Sequence, residues 1–277
     1  MPVIPPSLLD VVVAIGVPQP DGSDRWIGTG FLYSRVIGPG EGGRARVRGY
    51  LVTNRHVAEA HDVLTIRLNP RGMPPARGYI EAIDRDRKKP MWIFHPDPAV
   101  DVAVTGALHG HLKNFGLAER LAPLLSTQAF PLQRLRSLQV SEGDAVAVAG
   151  FPMELVTVPK TRPVVRSGCI ARISDVYDEG GNSFLLDVPV FPGNSGGPAF
   201  LLPQLMSVTD QPATDEGGLL GVVRAYVPYE DFAVSAQTGQ ARVMFQENSG
   251  LTLIHTVDCI DETIDALEAE YPLATDP

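Results

Sequence analysis

Short runs of apolar residues, separated by glycine and proline, recur along most of the chain. Runs of this length between turn-forming residues are typical of β-strands. A first series predicts strands at 11–17, 26–34, 48–57, 63–68, 79–86, 91–96 and 101–108. A second series predicts strands at 144–152, 164–176, 183–190, 197–202 and 218–228. Two series of strands predict an all-β protein built from two barrels or sandwiches.

The segments around these series follow other patterns. The Leu-rich stretch interrupted by Pro123 and Pro131 predicts a linker with one or two short helices, and the polar stretch 203–217 predicts a surface loop. Apolar residues near the C-terminus recur at helical spacing, which predicts an amphipathic helix whose acidic face is solvated. We therefore divide the chain into four parts: an N-terminal barrel at 1–115, a linker at 116–140, a second barrel at 141–230, and a C-terminal segment with the helix at 231–277.

Composition and charge exclude several classes of protein. With 277 residues, 44% of them hydrophobic, the chain is too apolar to be disordered. Its formal net charge of −9 argues against nucleic acid as a partner. It has no run of about 18 apolar residues, so a membrane is not expected as a partner either. The beginning of the chain lacks the basic residues of a secretory signal. Together with only two cysteines, Cys169 and Cys259, this predicts free thiols and a cytoplasmic location.

The segment PGNSGGPAF, residues 192–200, is the strongest candidate for chemistry. A serine hydroxyl is a weak nucleophile at neutral pH, so it needs a neighbouring base and donors for the oxyanion that forms. Glycines around Ser195 allow a tight turn that points amide N–H groups at one place. By itself the motif also fits an ordinary glycine-rich turn.

The motif Gly193 to Gly197 also matches the nucleophile elbow of α/β-hydrolases. That fold requires a helix after the serine, and a later acid and histidine. Only four residues separate Pro198 from Pro203, which is too short for the helix, and His255 is the sole histidine downstream. The order of the chain therefore disfavours an esterase of this type.

A base and an acid for Ser195 are found upstream. His56 ends the apolar run LVTNRH, where an imidazole would be held firmly at the end of a strand. The segment FHPDPAVDVAV offers Asp97, between two prolines, and Asp101, at the start of an alternating strand. We choose Asp101, because a carboxylate buried at the mouth of a strand can orient an imidazole.

The order His56, Asp101, Ser195 resembles that of the chymotrypsin-fold, trypsin-like serine peptidases. The chain is more similar to the HtrA-type bacterial branch, through GTGFLYS (28–34) before GYLVTNRHV (49–57), DVAV (101–104), VAVAGFP (146–152) with SGCIARI (167–173), and LDVPVFPGNSGGPAF (186–200) with LLGVVRAY (219–226). The likeness covers about residues 10–228. The segment after residue 230 is too short for the PDZ modules of that branch, so we do not expect them here.

This resemblance implies two antiparallel six-stranded β-barrels with the site in the cleft between them, followed by the C-terminal helix. Ser195 would be the nucleophile, His56 the general base and Asp101 the residue that orients the imidazole. The amides of Gly193 and Ser195 would form the oxyanion hole. Because Asn194 replaces the aspartate that captures a freed N-terminus in digestive enzymes, activation by cleavage is not expected.

The resemblance also implies a substrate pocket, for which we predict Pro189, Val190, Val223, Arg224 and Ala225. This apolar lining predicts a preference for an apolar residue before the scissile bond. If Arg224 pointed inward, acidic residues would be preferred instead.

Two functions remain open from the sequence. The first is a serine endopeptidase that acts on protein or peptide substrates and leaves room for a regulatory protein partner. The second is a peptide-binding module that keeps the cleft but has weak or no turnover. We predict no cofactor and no metal, since His109 and His111 lack further ligands at a suitable spacing.

Overall fold

A computed structural model describes residues 4–40, 43, 45–71, 73–84, 88–106, 123–157, 160–178, 180–204 and 215–272. Most of the predicted surface loop at 203–217 lies outside these residues. The predicted domain boundary at residue 115, His109 and His111 also lie outside them. Within the described part of the chain, no helix combines the length and the apolar character needed to cross a membrane. The same residues contain no group of three His, Cys, Asp or Glu side chains placed to hold a metal ion.

The N-terminal half forms an eight-stranded sheet. Seven of its strands follow the spatial order β5-β4-β1-β2-β3-β9-β8, and β10 pairs in parallel with β2. A separate two-stranded sheet consists of β6 and β7. These strands are β1 Val12–Pro18, β2 Asp24–Pro39, β3 Ala45–Thr53, β4 Val63–Leu68, β5 Ala76–Glu81, β6 Ile83–Asp84, β7 Lys89–Pro90, β8 Ile93–Phe94, β9 Ala103–Thr105 and β10 Leu124–Leu125. Among the described strands the pairing path of this sheet stays open, so the sheet is a half-barrel, which agrees with the expected double-barrel fold.

The C-terminal half is a closed barrel of six antiparallel strands in the order β11-β12-β13-β16-β15-β14. They are β11 Ala145–Gly150, β12 Val164–Arg172, β13 Ser183–Asp187, β14 Pro198–Leu201, β15 Gly218–Val234 and β16 Ala241–Thr256. The barrel confirms the predicted architecture of this half. Its sixth strand comes from within 231–277, the segment predicted to carry only the helix, and β15 with β16 forms a hairpin that extends beyond the barrel wall.

The helices are short, except for the last one. They are α1 Pro6–Leu9, α2 Arg55–Ala58, α3 Leu132–Ser137, α4 Ser174–Asp178 and α5 Val257–Glu270, with single 3₁₀ turns at Ser126–Gln128 and Pro152–Glu154. The helix α5 carries the predicted amphipathic pattern. Its buried residues, which include Ile260, Ile264 and Leu267, belong to the core of the N-terminal sheet, so the end of the chain packs back onto its beginning.

The acidic face of α5 is partly solvated, as expected, but several of its acids also pair with basic residues of the N-terminal half. Arg35 contacts Asp261, Asp265 and Glu268 at 3.2, 2.5 and 3.3 Å. The same face binds Lys89 through Glu270 and the buried His95 through Glu262. These ion pairs fix the direction in which α5 lies across the sheet.

Candidate active site

A short helix positions His56 at the end of β3. Val57 and Ala58 are buried in the N-terminal core and anchor α2, while the side chain of His56 stays 53% exposed toward the cleft. Asn54, just before the helix, donates its side-chain amide to the Asp101 carbonyl at 2.7 Å. The local fold therefore ties the histidine segment to the aspartate segment before the two side chains meet.

The side chains of His56 and Asp101 form a two-point contact. The Nδ1 of His56 lies 2.6 Å from Oδ2 of Asp101, and the His56 backbone N–H donates to Oδ1 at 2.9 Å. With a carboxylate at Nδ1, the neutral ring carries its proton there and presents the lone pair of Nε2 outward. Burial alone would raise the pKa of Asp101, but the hydrogen bonds from His56 outweigh it and lower that pKa below its ordinary value.

The other candidate acid, Asp97, lies elsewhere. Its carboxylate accepts the N–H of Ala99 at 2.9 Å and closes a local turn, while its backbone N–H donates to His95. The structure brings Asp101, and not Asp97, into hydrogen-bond contact with His56.

Ser195 lies in a tight turn that requires glycine on both sides. Gly193 has a φ of 100° and Gly196 a φ of 85°, conformations that other residues rarely adopt. A Cβ atom at Gly193 would lie 2.3 Å from the Phe151 carbonyl oxygen, and one at Gly196 would lie 2.1 Å from the Thr29 carbonyl oxygen. The turn that carries Ser195 therefore requires glycine at both positions.

Asn194 closes the turn with neutral, local hydrogen bonds. Its backbone N–H donates to the Phe191 carbonyl at 2.9 Å, and its Oδ1 accepts the Phe191 N–H at 3.2 Å. Its side chain is buried, with 1% of the residue exposed. The conformation of the turn therefore needs no ion pair at position 194.

The turn leaves two amide donors beside Ser195. The Pro192 carbonyl accepts the N–H of Met153 at 2.8 Å, which turns the Gly193 N–H of the same trans peptide to the opposite side. Among the described residues, the backbone N–H groups of Gly193 and Ser195 have no acceptor. Two unpaired donors on one turn can bind a single oxygen atom.

The hydroxyl of Ser195 donates to the Arg224 carbonyl at 3.3 Å and makes no other hydrogen bond within the described residues. The serine turn and the His56 helix nevertheless lie against the same point of β2. A Cβ atom at Gly28 would be 2.8 Å from a Val57 methyl group and 3.4 Å from the Ser195 carbonyl oxygen. The structure thus places Ser195 and the His56–Asp101 pair on either side of one narrow contact between the two halves.

Thr29, which sequence reasoning did not select, holds this contact together. Its Oγ1 donates to the Gly193 carbonyl at 2.6 Å and accepts the Phe151 N–H at 3.0 Å. Its backbone N–H donates to the Ser195 carbonyl at 2.9 Å, and its own carbonyl accepts the Thr53 hydroxyl. The residue is fully buried. In the sequence, the only sign of this role is that Thr29 lies between Gly28 and Gly30 within an apolar run.

His255 is a second residue that the sequence did not reveal. It lies on β16, and its Nε2 accepts the backbone N–H of Asp101 at 3.0 Å, while its Nδ1 faces the Asn182 carbonyl at 3.3 Å. Burial lowers the pKa of His255 to about 4, so the ring is neutral at neutral pH and can act as this acceptor. A strand of the C-terminal half therefore supports the backbone of Asp101.

The residues predicted for the substrate pocket fall into two groups. Val190 and Val223 are buried in the core of the C-terminal barrel, at 2% and 0% exposure. Pro189 and Ala225 are exposed, and Arg224 is half-buried at the surface of β15. The structure therefore does not bring the five residues together as one lining, because two lie inside the barrel core and three lie at its surface.

Comparison with known proteins agrees with this fold. The model of a family described as "Trypsin-like peptidase domain" matches residues 28–203, which is more than half of the chain. The chain therefore belongs to the trypsin-like peptidase domain family, and this membership indicates a peptidase-type function. No curated protein matches the chain significantly.

Among solved structures, the chain is similar to the protease domain of MamO from Magnetospirillum magneticum in its apo form. The two sequences are 15% identical, and the match covers 92% of this chain and 96% of that chain, with a TM-score of 0.42.

The hydroxyl of Thr29 can be tested by two substitutions of similar size. Thr29→Val leaves the Gly193 carbonyl and the Phe151 N–H without their buried partner, so we expect the free energy of unfolding to fall by about 2–4 kcal/mol. Thr29→Ser keeps the hydroxyl and loses only a methyl group, so the loss should be about 1 kcal/mol. Urea unfolding of the three proteins measures both values. Equal losses for the two variants would contradict the role of the hydroxyl.

The pKa of His255 predicts a component of the pH dependence of stability. Because folding lowers this pKa from 6.5 to about 4, the unfolded chain binds the proton more readily between these values. Stability should therefore fall as the pH decreases from 6.5 to 4, by about 3 kcal/mol from this group. His255→Gln should remove that component. Urea unfolding of the two proteins across this pH range tests it, and parallel curves would refute it.

Proposed function

We propose that the protein is a serine endopeptidase that hydrolyses peptide bonds in protein substrates. The observation that supports this most strongly is the combination, at one contact, of the His56–Asp101 pair with Ser195 and two unpaired amide N–H groups. A base, a hydroxyl and oxyanion donors are the parts that acyl transfer requires.

In the proposed reaction, the Ser195 hydroxyl turns from the Arg224 carbonyl to Nε2 of His56 and attacks the scissile carbonyl. His56 takes the hydroxyl proton and then gives it to the leaving amine, while the Asp101 carboxylate holds Nδ1–H and stabilises the imidazolium. The amides of Gly193 and Ser195 donate to the oxyanion. Water then attacks the acyl-enzyme by the same steps, with His56 again as the base.

The proposal also covers how the enzyme becomes active, which residue it prefers before the scissile bond, and the compartment in which it works. Asn194 holds the serine turn with neutral bonds, which supports an active site that forms without cleavage of the chain. Val190 and Val223 bring no charge to the predicted pocket, which supports an apolar residue before the scissile bond. The free cysteines Cys169 and Cys259 support a reducing, cytoplasmic compartment.

A second candidate function rests on the Ser195 hydroxyl, which contacts the Arg224 carbonyl rather than His56. A protein that kept this rotamer would bind peptides without cleaving them. Turnover of an unfolded protein substrate separates the two candidates, because a binding module forms no new chain ends.

Substitutions at the candidate triad test the proposed function. Ser195→Ala and His56→Ala should each reduce kcat on the order of a millionfold, with no further loss in the double variant, because the residues act as a unit. Asp101→Asn should reduce kcat about 10⁴-fold by stabilising the wrong imidazole tautomer.

The matched control is Asp97→Asn, which should leave kcat within about twofold of the wild type. Initial rates of peptide hydrolysis are measured for the wild type and the five variants. Substantial activity in Ser195→Ala would refute the nucleophile, and a larger loss at Asp97 than at Asp101 would transfer the orienting role to Asp97.

A further inference from the structure

The outer part of the hairpin formed by β15 and β16 exposes an unusual number of large apolar side chains. Six of them, at least half exposed, lie within residues 229–245; they are Tyr229, Phe232, Val234, Val243, Met244 and Phe245. Exposed apolar groups at this density mark interaction sites in proteins that are otherwise well packed. A two-stranded ribbon is also marginally stable in water when nothing covers it.

The apolar residues occupy both faces of the hairpin. Phe232 lies opposite Met244 on one face, and Phe245 lies opposite Asp231, on the other. A flat partner would cover only one face. A polypeptide strand added to the edge of the ribbon would extend it to three strands, and its alternate side chains would lie beside the apolar residues of β15 on both faces.

The edge of β15 is open for such a strand. Its pairs with β14 end at Val222, and beyond Val223 the described partners of β15 are residues of β16. No described strand pairs with the other edge of Arg224–Val234, although Pro228 has no N–H and the carbonyls of Arg224 and Val227 already accept side-chain hydroxyls. At about 3.3 Å per residue this edge is about 33 Å long.

The same strand begins at the candidate active site, because the Arg224 carbonyl accepts the Ser195 hydroxyl. Under the proposed function, the residue before the scissile bond lies beside Val223 and Arg224. The residues that precede it in the substrate would continue along Tyr226 to Val234.

The charge of the hairpin favours a basic partner. Residues 225–250 contain the acids Glu230, Asp231 and Glu247 and one basic residue, Arg242, in a chain with a formal net charge of −9. Two copies of this hairpin would repel each other, and anionic lipid would repel either one. A polypeptide with apolar and basic side chains complements the surface.

We propose that the outer part of the β15–β16 hairpin, residues 229–245, is a docking surface for an extended, apolar and basic segment of a protein substrate, upstream of the substrate residues that pair with β15 beside Ser195. The inference rests on the proposed function for the direction of the substrate. The docking itself can be measured without turnover.

The test uses the full chain carrying Ser195→Ala and a fluorescein-labelled peptide of about fourteen residues, in which Leu and Lys alternate upstream of a Val–Ala bond. Fluorescence anisotropy should show that Phe232→Ser weakens binding about tenfold, and that Tyr229→Ser does so as well. Ile83→Ser, at an equally exposed apolar residue outside the hairpin, is the matched control and should leave binding unchanged.

Two altered peptides test the mode of binding. A peptide with N-methyl groups on alternate upstream residues lacks the donors for strand pairing, and a peptide with Glu in place of Lys reverses the charge. Both should bind at least about tenfold more weakly than the original. Equal binding of all three peptides, or equal effects of Phe232→Ser and Ile83→Ser, would overturn the proposal.

Size-exclusion chromatography identifies the alternative occupant. If the protein self-associates through the hairpin and Phe232→Ser abolishes this without affecting peptide binding, the hairpin is an interface between copies and the proposal is wrong. Absence of peptide cleavage by the wild type, with hairpin-dependent binding intact, would refute the proposed endopeptidase alone.

Discussion

The buried hydroxyl of Thr29 is the point on which the arrangement of the site depends. One oxygen atom joins the Gly193 carbonyl to the Phe151 N–H, and the backbone of the same residue holds the Ser195 carbonyl. Thr29 belongs to the N-terminal sheet, whereas its partners belong to the C-terminal half. Because a buried polar group without a partner costs about 1–3 kcal/mol, the serine turn cannot move away from the sheet without losing several such bonds.

The remainder of the chain reinforces the same contact from the other side. His255, near the end of the last barrel strand, accepts the backbone N–H of Asp101, and α5 then packs its apolar face into the N-terminal core. Arg35 binds three acids of that helix. Contacts that join the two halves therefore include those of Thr29 and those of the returning C-terminal segment.

Local patterns in the sequence predicted the parts of the structure that depend on neighbours along the chain. The strand series, the α5 helix and the glycine-rich turn at Ser195 follow from spacing and from the conformational freedom of glycine. Asp101 was chosen as the partner of His56 from its place at the start of a strand, and the order of the motifs agreed with that choice. Contacts between distant residues left no such trace: Asp101 and His255 are 154 positions apart, and the acids of α5 reveal nothing of Arg35 until the fold brings them together.

The differences in fold have the same origin. Strand β16 was missed because its outer half is a polar and apolar mixture without a clear period, and it is specified by pairing with β15. The N-terminal sheet ends at the two-residue strand β8, and α5 packs against β8 and β9 there. In both cases tertiary packing decided what local preference left undetermined.

If the contact held by Thr29 presents Ser195 to His56 as an activated nucleophile, as proposed, Ser195 should react selectively with a fluorophosphonate. Mass spectrometry of the digested wild type after this reaction locates the adduct. We expect one adduct, on Ser195, formed at a rate that falls by about a thousandfold or more in His56→Ala. An unmodified Ser195, or an adduct whose rate does not depend on His56, would contradict it.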